Sequence, residues 1–203
     1  MTRRVRLTSA ERREQLMAAT VQTLAVRGFH ATTADEIVRL AGTSKGLLWH
    51  YFADLDELFE ETARRTLGLL TEAVASSIDL RAPAPAVIRS AVRAAAALRL
   101  THGPERRAMR EIVQNLRRAD GELRFTQRDL DDLYTAQEAI VRRGQSDGDF
   151  REDVDPRLFA VTYQGAVDSM LDHLDANPDL DPERSARIVA DILISGVATG
   201  RGG

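Results

Sequence analysis

Cysteine is missing from the 203 residues, which excludes disulfides, thiolate metal sites and cysteine nucleophiles. Lysine is nearly missing too: of 28 basic residues, 27 are arginine and one is Lys45. Aromatic residues make up 5%, with Trp49 the single tryptophan. The longest unbroken apolar run, 94–98, is far short of the roughly 20 residues a membrane helix needs. No membrane span is expected. Where a secretory signal would carry its apolar stretch, the chain has Glu11, Arg12, Arg13 and Glu14. With the missing cysteines, this predicts a reducing, cytoplasmic setting.

Enzyme signatures are scarce as well. His30, His50, His102 and His173 form no pair at metal-ligand spacing, and there is no His-Glu-x-x-His. Asp168, Asp172 and Asp175 share one helix face, which reads as a solvated acidic face before it reads as a metal cluster. Asp147-Gly148-Asp149 lacks the ligand order of a calcium loop. No glycine-rich strand-to-helix turn is present to hold a nucleotide. The sequence predicts no enzyme, no metal and no cofactor.

What is present is an ordinary globular composition, 43% hydrophobic and 29% charged, with a net charge of −3. That average conceals a split. Residues 1–51 hold eight basic against four acidic side chains, a balance of +4; residues 52–203 hold 20 against 27, a balance of −7. A basic head on an acidic body suits a polyanion-binding module joined to a part with another task.

Helical signals run along nearly the whole chain. Thr8 and Glu11 form a capping box, and the helix they open runs to about Arg27 before Gly28. Thr33 and Glu36 repeat the spacing ahead of a short helix ending near Ala41–Gly42; Ser44 starts another through Tyr51. Asp54 and Glu57 open a longer helix with Leu58, Phe59, Ala63, Leu67 and Leu70 at three- and four-residue steps. Further helices are predicted over 86–100, 105–118, 122–143, from Pro156 to about Asp175, and from Pro182 to about Val197. No segment alternates with a two-residue period, so the fold class is all-α with about nine helices.

The pair 33–41 and 44–51, joined by Gly42–Thr43, has the layout of a helix-turn-helix, whose second helix enters the DNA major groove. Ile37, Val38, Ala41, Leu48 and Phe52 can form its small core. The candidate DNA-binding residues are Thr33, Ser44, Lys45, Gly46, Leu47, Trp49, His50 and Tyr51. Lysine suits phosphate or guanine, leucine a thymine methyl, and histidine a base edge. Trp49 and Tyr51 can donate to phosphates while packing on sugars. The amino ends at Thr33 and Ser44 can present backbone amides to phosphate. Arg3, Arg4 and Arg6 form either a groove-contacting arm or a plain basic tail.

Residues 16–58 resemble the N-terminal domain of the TetR family of bacterial transcriptional regulators. The elements that carry the likeness are Gly28–Phe29, Thr32–Thr33, Ile37, Ala41–Gly42, Ser44–Lys45–Gly46 and His50–Tyr51–Phe52, in order and without gaps. The chain departs from the family pattern at Thr43, where valine is usual, and at Leu47 and Trp49 in the recognition helix. It departs again at Leu55, where a phosphate-contacting lysine is common. The resemblance implies a DNA-binding domain over 1–52 and a helical body over 53–203, joined by a connecting helix over 54–77. It also implies a homodimer on a near-palindromic double-stranded operator, released by a small-molecule effector. A helical architectural factor without an effector is the rival reading.

In that body, helices near 156–175 and 182–197 either pair with a second copy or bury their apolar sides within the chain. The candidate effector-binding residues are Leu98, His102, Met109, Ile112, Leu116, Tyr134, Phe159, Tyr163 and Met170, apolar in the main with a few polar handles. The competing account makes them ordinary core.

Overall fold

The computed structural model describes residues 7–199. Among them are nine α-helices and no strand, only two isolated bridges. By packing, the chain forms two compact units. The first runs to Leu70 and resumes over His102–Phe125; the second takes Thr71–Thr101 and the residues from Thr126 onward.

The first unit contains α1 (Ser9–Arg27), α2 (Ala34–Ala41), α3 (Lys45–Tyr51), most of α4 (Leu55–Ala75) and α6 (Gly103–Asn115). The capping box at the start of α1 forms as the spacing predicts: Thr8 Oγ1 accepts from the Glu11 amide, and Glu11 accepts from the Thr8 amide at 2.7 Å. Leu16, Leu24, Ile37, Leu48, Phe52, Leu58 and Ile112 are fully buried and make one core. Helices of seven and eight residues have little stability alone. That shared core gives α2 and α3 their reason to exist, and it carries the unit beyond the expected domain boundary at residue 52.

The second unit contains α5 (Ala84–Thr101), α7 (Asp131–Ser146), α8 (Pro156–Ala176) and α9 (Pro182–Ser195). Pro156 and Pro182 open α8 and α9 behind Asp155 and Asp181, whose carboxylates cap the first turn. Val92, Val141, Phe150 and Leu174 lie at its centre. Gly144, in the last turn of α7, is required there by a close approach. A Cβ added to it would stand 2.3 Å from the Phe150 ring and 2.9 Å from Ala84.

One stretch differs from the predicted helices. The helix expected over 105–118 ends at Asn115, and the one expected from Glu122 begins only at Asp131. Between them the chain doubles back: Arg118 N–H donates to Glu122 and Arg124 N–H to Leu116, both at 2.8 Å. Gly121 takes a φ of +85° at the bend, a conformation glycine adopts without penalty. A Thr126–Asp129 capping box then opens a short 3-10 turn, Gln127–Leu130, ahead of α7. The apolar spacing alone missed the bend because Asp120-Gly121 is a local turn signal within a helical pattern. The helix expected over 86–100 starts earlier, at Ala84, and takes Pro85 into its first turn, where a missing N–H costs nothing.

Candidate nucleic-acid interface

The turn between α2 and α3 is built from backbone chemistry. Gly42 adopts the left-handed conformation, φ 63° and ψ 38°, and Thr43 N–H reaches back to Val38 at 3.0 Å, closing the last turn of α2. Gln15 on α1 donates to the freed carbonyl of Ala41 at 2.8 Å. Ser44, in extended conformation, accepts from Leu47 N–H at 3.2 Å and starts α3. Thr33 does the same for α2 through Glu36 N–H at 3.4 Å. The reciprocal half of that capping box is absent, because the Glu36 carboxylate turns instead to Arg39 and Arg27. The hydrogen bond from Arg39 is the main reason the Glu36 carboxyl sits below its ordinary range.

The two faces of α3 differ sharply in exposure. Leu48 is fully buried and Phe52 follows it into the core. Ser44, Lys45, Gly46, Trp49 and His50 are exposed, and Leu47 and Tyr51 half-buried. Trp49 keeps 42% of its surface in solvent. His50 meets the Tyr51 ring edge-on at 5.1 Å. Lys45 Nζ lies 2.9 Å from the Asp35 carboxylate at the start of α2. The eight sequence candidates are thus gathered on α3 and the amino end of α2. Arg3, Arg4 and Arg6 lie outside the described residues.

Three residues that the sequence did not single out tie the helices of the first unit together. Arg13 on α1 donates to the carbonyl of Tyr51 at 2.7 Å, lies 4.5 Å over the Phe52 ring and pairs with Glu61 on α4. One guanidinium thereby ties the end of α3 to two other helices. Glu111 on α6 accepts from Phe29 N–H at 2.8 Å, fixing the corner after α1, where Phe29 packs on Phe59 at 5.2 Å. Glu60 on α4 is held by Arg64 and by Arg124 of the bend. Burial works to raise its carboxyl, and the two arginine hydrogen bonds outweigh it and hold the group low.

The beginning of α4 has the opposite chemistry. Asp54, Asp56, Glu57, Glu60 and Glu61 precede its first cation, Arg64, and line an open cleft with Arg117, Arg118 and Arg124. No cation stands at Leu55, so phosphate contact from this end of α4 has no side-chain charge to use.

The effector candidates divide between the units. Ile112 and Leu116 are buried in the first core with Met109 packed against it, and His102 precedes α6 half-buried. Leu98, Tyr134, Phe159, Tyr163 and Met170 belong to the second unit, all buried. Phe159 and Tyr163 stack at 6.4 Å, and Arg157 lies 4.5 Å over Tyr134. Burial pushes both tyrosine hydroxyls upward in pKa, Tyr163 the further. On α8 and α9, Phe159, Val167, Met170, Leu171, Leu174, Leu193 and Ile194 fill their own core. Leu158, Ile188 and Ile192 do not: they remain 66%, 48% and 67% exposed. Among the described residues no three His, Asp or Glu side chains converge to hold a metal, and no helix is long and apolar enough to cross a membrane.

A buried-core helix-turn-helix carrying an exposed polar and aromatic helix defines a DNA-binding regulator of transcription, and comparison with known proteins gives the same class. The sequence profile of bacterial regulatory proteins of the tetR family matches residues 16–62. The HTH-type transcriptional repressor KstR2 of Rhodococcus jostii (strain RHA1) is 30% identical over 155 residues, 72% of this chain and 72% of that one. The HTH-type transcriptional regulator BetI of Stenotrophomonas maltophilia (strain R551-3) is 45% identical over 64 residues, 32% of this chain and 33% of its own. Among solved structures, the fatty acid degradation regulator FadR of Bacillus halodurans superposes with a TM-score of 0.78 at 16% identity, covering 93% of this chain and 97% of its own. The ketosteroid transcriptional regulator KstR2 of Mycobacterium tuberculosis superposes with 0.68 at 20%, covering 96% and 97%. These two share the fold. The chain belongs to the TetR family of bacterial transcriptional regulators.

Proposed function

We propose that the protein is a cytoplasmic, ligand-responsive repressor that binds a near-palindromic operator as a homodimer. Residues 1–52 read DNA, and residues 53–203 sense an effector and dimerise. The observation that carries this reading is the asymmetry of α3: Leu48 locks one face into the core, while Lys45, Trp49 and His50 stand exposed on a seven-residue helix. Thr33, Ser44, Gly46, Leu47 and Tyr51 complete the surface. In this reading Lys45 and His50 reach bases or phosphates, Leu47 meets thymine methyls, and the two capped amino ends position the protein on the backbone.

Exposed Leu158 on α8 and Ile188 and Ile192, one turn apart on α9, support the homodimer as large apolar side chains left for a partner to cover. Two copies place their recognition helices about 34 Å apart, or a multiple of a helical turn, on one face of the duplex. Effector binding near some of Leu98, His102, Met109, Ile112, Leu116, Tyr134, Phe159, Tyr163 and Met170 then favours an arrangement that no longer fits the half-site spacing. The name of the 30% identical relative, a repressor, favours repression over activation.

Selection of bound duplexes from a random pool tests the reading. A two-fold palindrome, with a dimer by sedimentation at micromolar concentration, is the expected result. Recovery of sequences without symmetry, or a monomer, contradicts it.

A further inference from the structure

The charged side chains around the α2–α3 turn are sorted in a particular way. Glu36 takes both arginines of this surface, Arg39 at 2.7 Å and Arg27 at 3.3 Å. Asp35 takes the lysine: its Oδ2 lies 2.9 Å from Lys45 Nζ. Asp35 is the second residue of α2 and Lys45 the first of α3, so the pair bridges the turn outside its buried core. Both side chains are well exposed, 74% and 51%, and the chain has no other lysine. A flexible four-carbon stem at the edge of the proposed groove-facing helix is therefore directed toward a carboxylate in the first turn of α2.

We propose that Asp35 is a specificity-determining, positioning residue: its carboxylate steers Lys45 toward base edges and withholds it from the phosphate backbone. This rests on the reading of α3 as the helix that enters the groove. The chemistry of the ammonium makes the distinction. Nζ has three donors, so it can keep Asp35 and still give two hydrogen bonds to the O6 and N7 acceptors of a guanine. A guanine edge is neutral and tolerates the carboxylate nearby. A phosphate is an anion, and bringing it onto the same ammonium sets two like charges a few ångströms apart. On a sequence without a suitable base, Lys45 stays with Asp35 and contributes no counterion release. Asp35 thus lowers the affinity for arbitrary DNA more than it lowers the affinity for the operator.

The test compares wild type, Asp35→Asn, Asp35→Glu, Lys45→Ala and the Asp35→Asn/Lys45→Ala double variant on a random-sequence duplex and on the selected operator, across a salt series. Asp35→Asn is expected to raise affinity for the random duplex by up to about tenfold at 0.1 M salt and to steepen its log–log salt slope by about 0.9, the signature of one added phosphate contact. The operator gains less, so the ratio of specific to non-specific affinity falls. Asp35→Glu keeps the wild-type slope, and the double variant loses the gain. An unchanged slope, an equal gain on both duplexes, or the same gain without Lys45 overturns the proposal. Labelling lysine with 15N gives a single side-chain ammonium signal that reports the pair without DNA. It should be less ordered in Asp35→Asn, and equal order in the two proteins also overturns the proposal. If the pair is present but no duplex is bound, the regulator reading itself fails and takes this role with it.

Discussion

The two compact units reach order by different means. The second is built from helices of 14 to 21 residues whose apolar sides fill a common core, closed where Phe150 lies against Gly144. The first contains helices of seven and eight residues, too short to hold themselves. They depend on a shared core and on a few side chains that reach backbone carbonyls or amides far away in sequence: Arg13 to Tyr51, Gln15 to Ala41, Glu111 to Phe29. The difference teaches that a recognition surface can be fixed by a small number of polar ties while its outward side chains stay exposed to a partner. Substitutions should separate along the same line. Core changes in the second unit should cost stability; tie changes in the first should cost DNA binding beyond their cost in stability.

The largest expected effect is at the Phe150–Gly144 contact. Phe150→Ala should destabilise the protein by about 3–5 kcal/mol by denaturant melts, with the affinity of the folded fraction for DNA retained. Gly144→Ala should also destabilise, by about 1–3 kcal/mol, since the new methyl overlaps the Phe150 ring. A wild-type melting curve for Gly144→Ala would break the comparison on the side of the second unit. Next comes Arg13→Ala, expected to cost about 1–2 kcal/mol of stability through the lost bond to Tyr51 and the lost packing on Phe52. Its operator affinity should fall at least about tenfold, equivalent to 1.4 kcal/mol of binding. If affinity falls no further than the loss of folded protein explains, Arg13 does not set the attitude of α3.

Smaller effects follow at the caps and in acid. Ser44→Ala and Thr33→Ala should each cost about 1 kcal/mol, Ser44→Gly only a few tenths. The pH dependence comes from glutamates held below their ordinary range: Glu36 and Glu60 by arginine partners, and Glu11 by the Thr8 amide and hydroxyl. A depressed carboxyl stabilises the fold above its unfolded pKa, and that contribution is lost as pH falls through the folded value. Stability should therefore decline below about pH 4.3, the unperturbed glutamate value. Glu60→Gln should make the decline shallower, as read from denaturant midpoints between neutral and acidic pH; an unchanged slope would remove Glu60 from the account.

The caps and turns that built α1, α2 and α3 were legible because their partners lie three or four residues apart: Thr8 with Glu11, Ser44 with Leu47, Gly42 with its own φ. The pattern of Ile37, Val38, Ala41 and Leu48 located the core of the turn for the same reason. The ties were not legible. Arg13 meets Tyr51 across 38 positions and Glu111 meets Phe29 across 82, distances at which no periodic signal survives. Nothing in the spacing of Asp35 and Lys45 marks them as partners until the turn brings α2 and α3 together. The exposed Leu158, Ile188 and Ile192 were indistinguishable in sequence from buried neighbours such as Leu174 and Leu193. Helical periodicity tells which residues share a face, not whether that face meets its own chain or another.

The most direct measurement is the affinity of a Lys45→Ala/His50→Ala double variant for the selected operator, beside its circular dichroism and melting curve. Both side chains are exposed and neither fills the core, so the fold should be unchanged. Operator affinity should fall by at least about tenfold, since a good base contact is worth roughly 1–3 kcal/mol. Full affinity in a correctly folded double variant would mean that α3 does not read DNA.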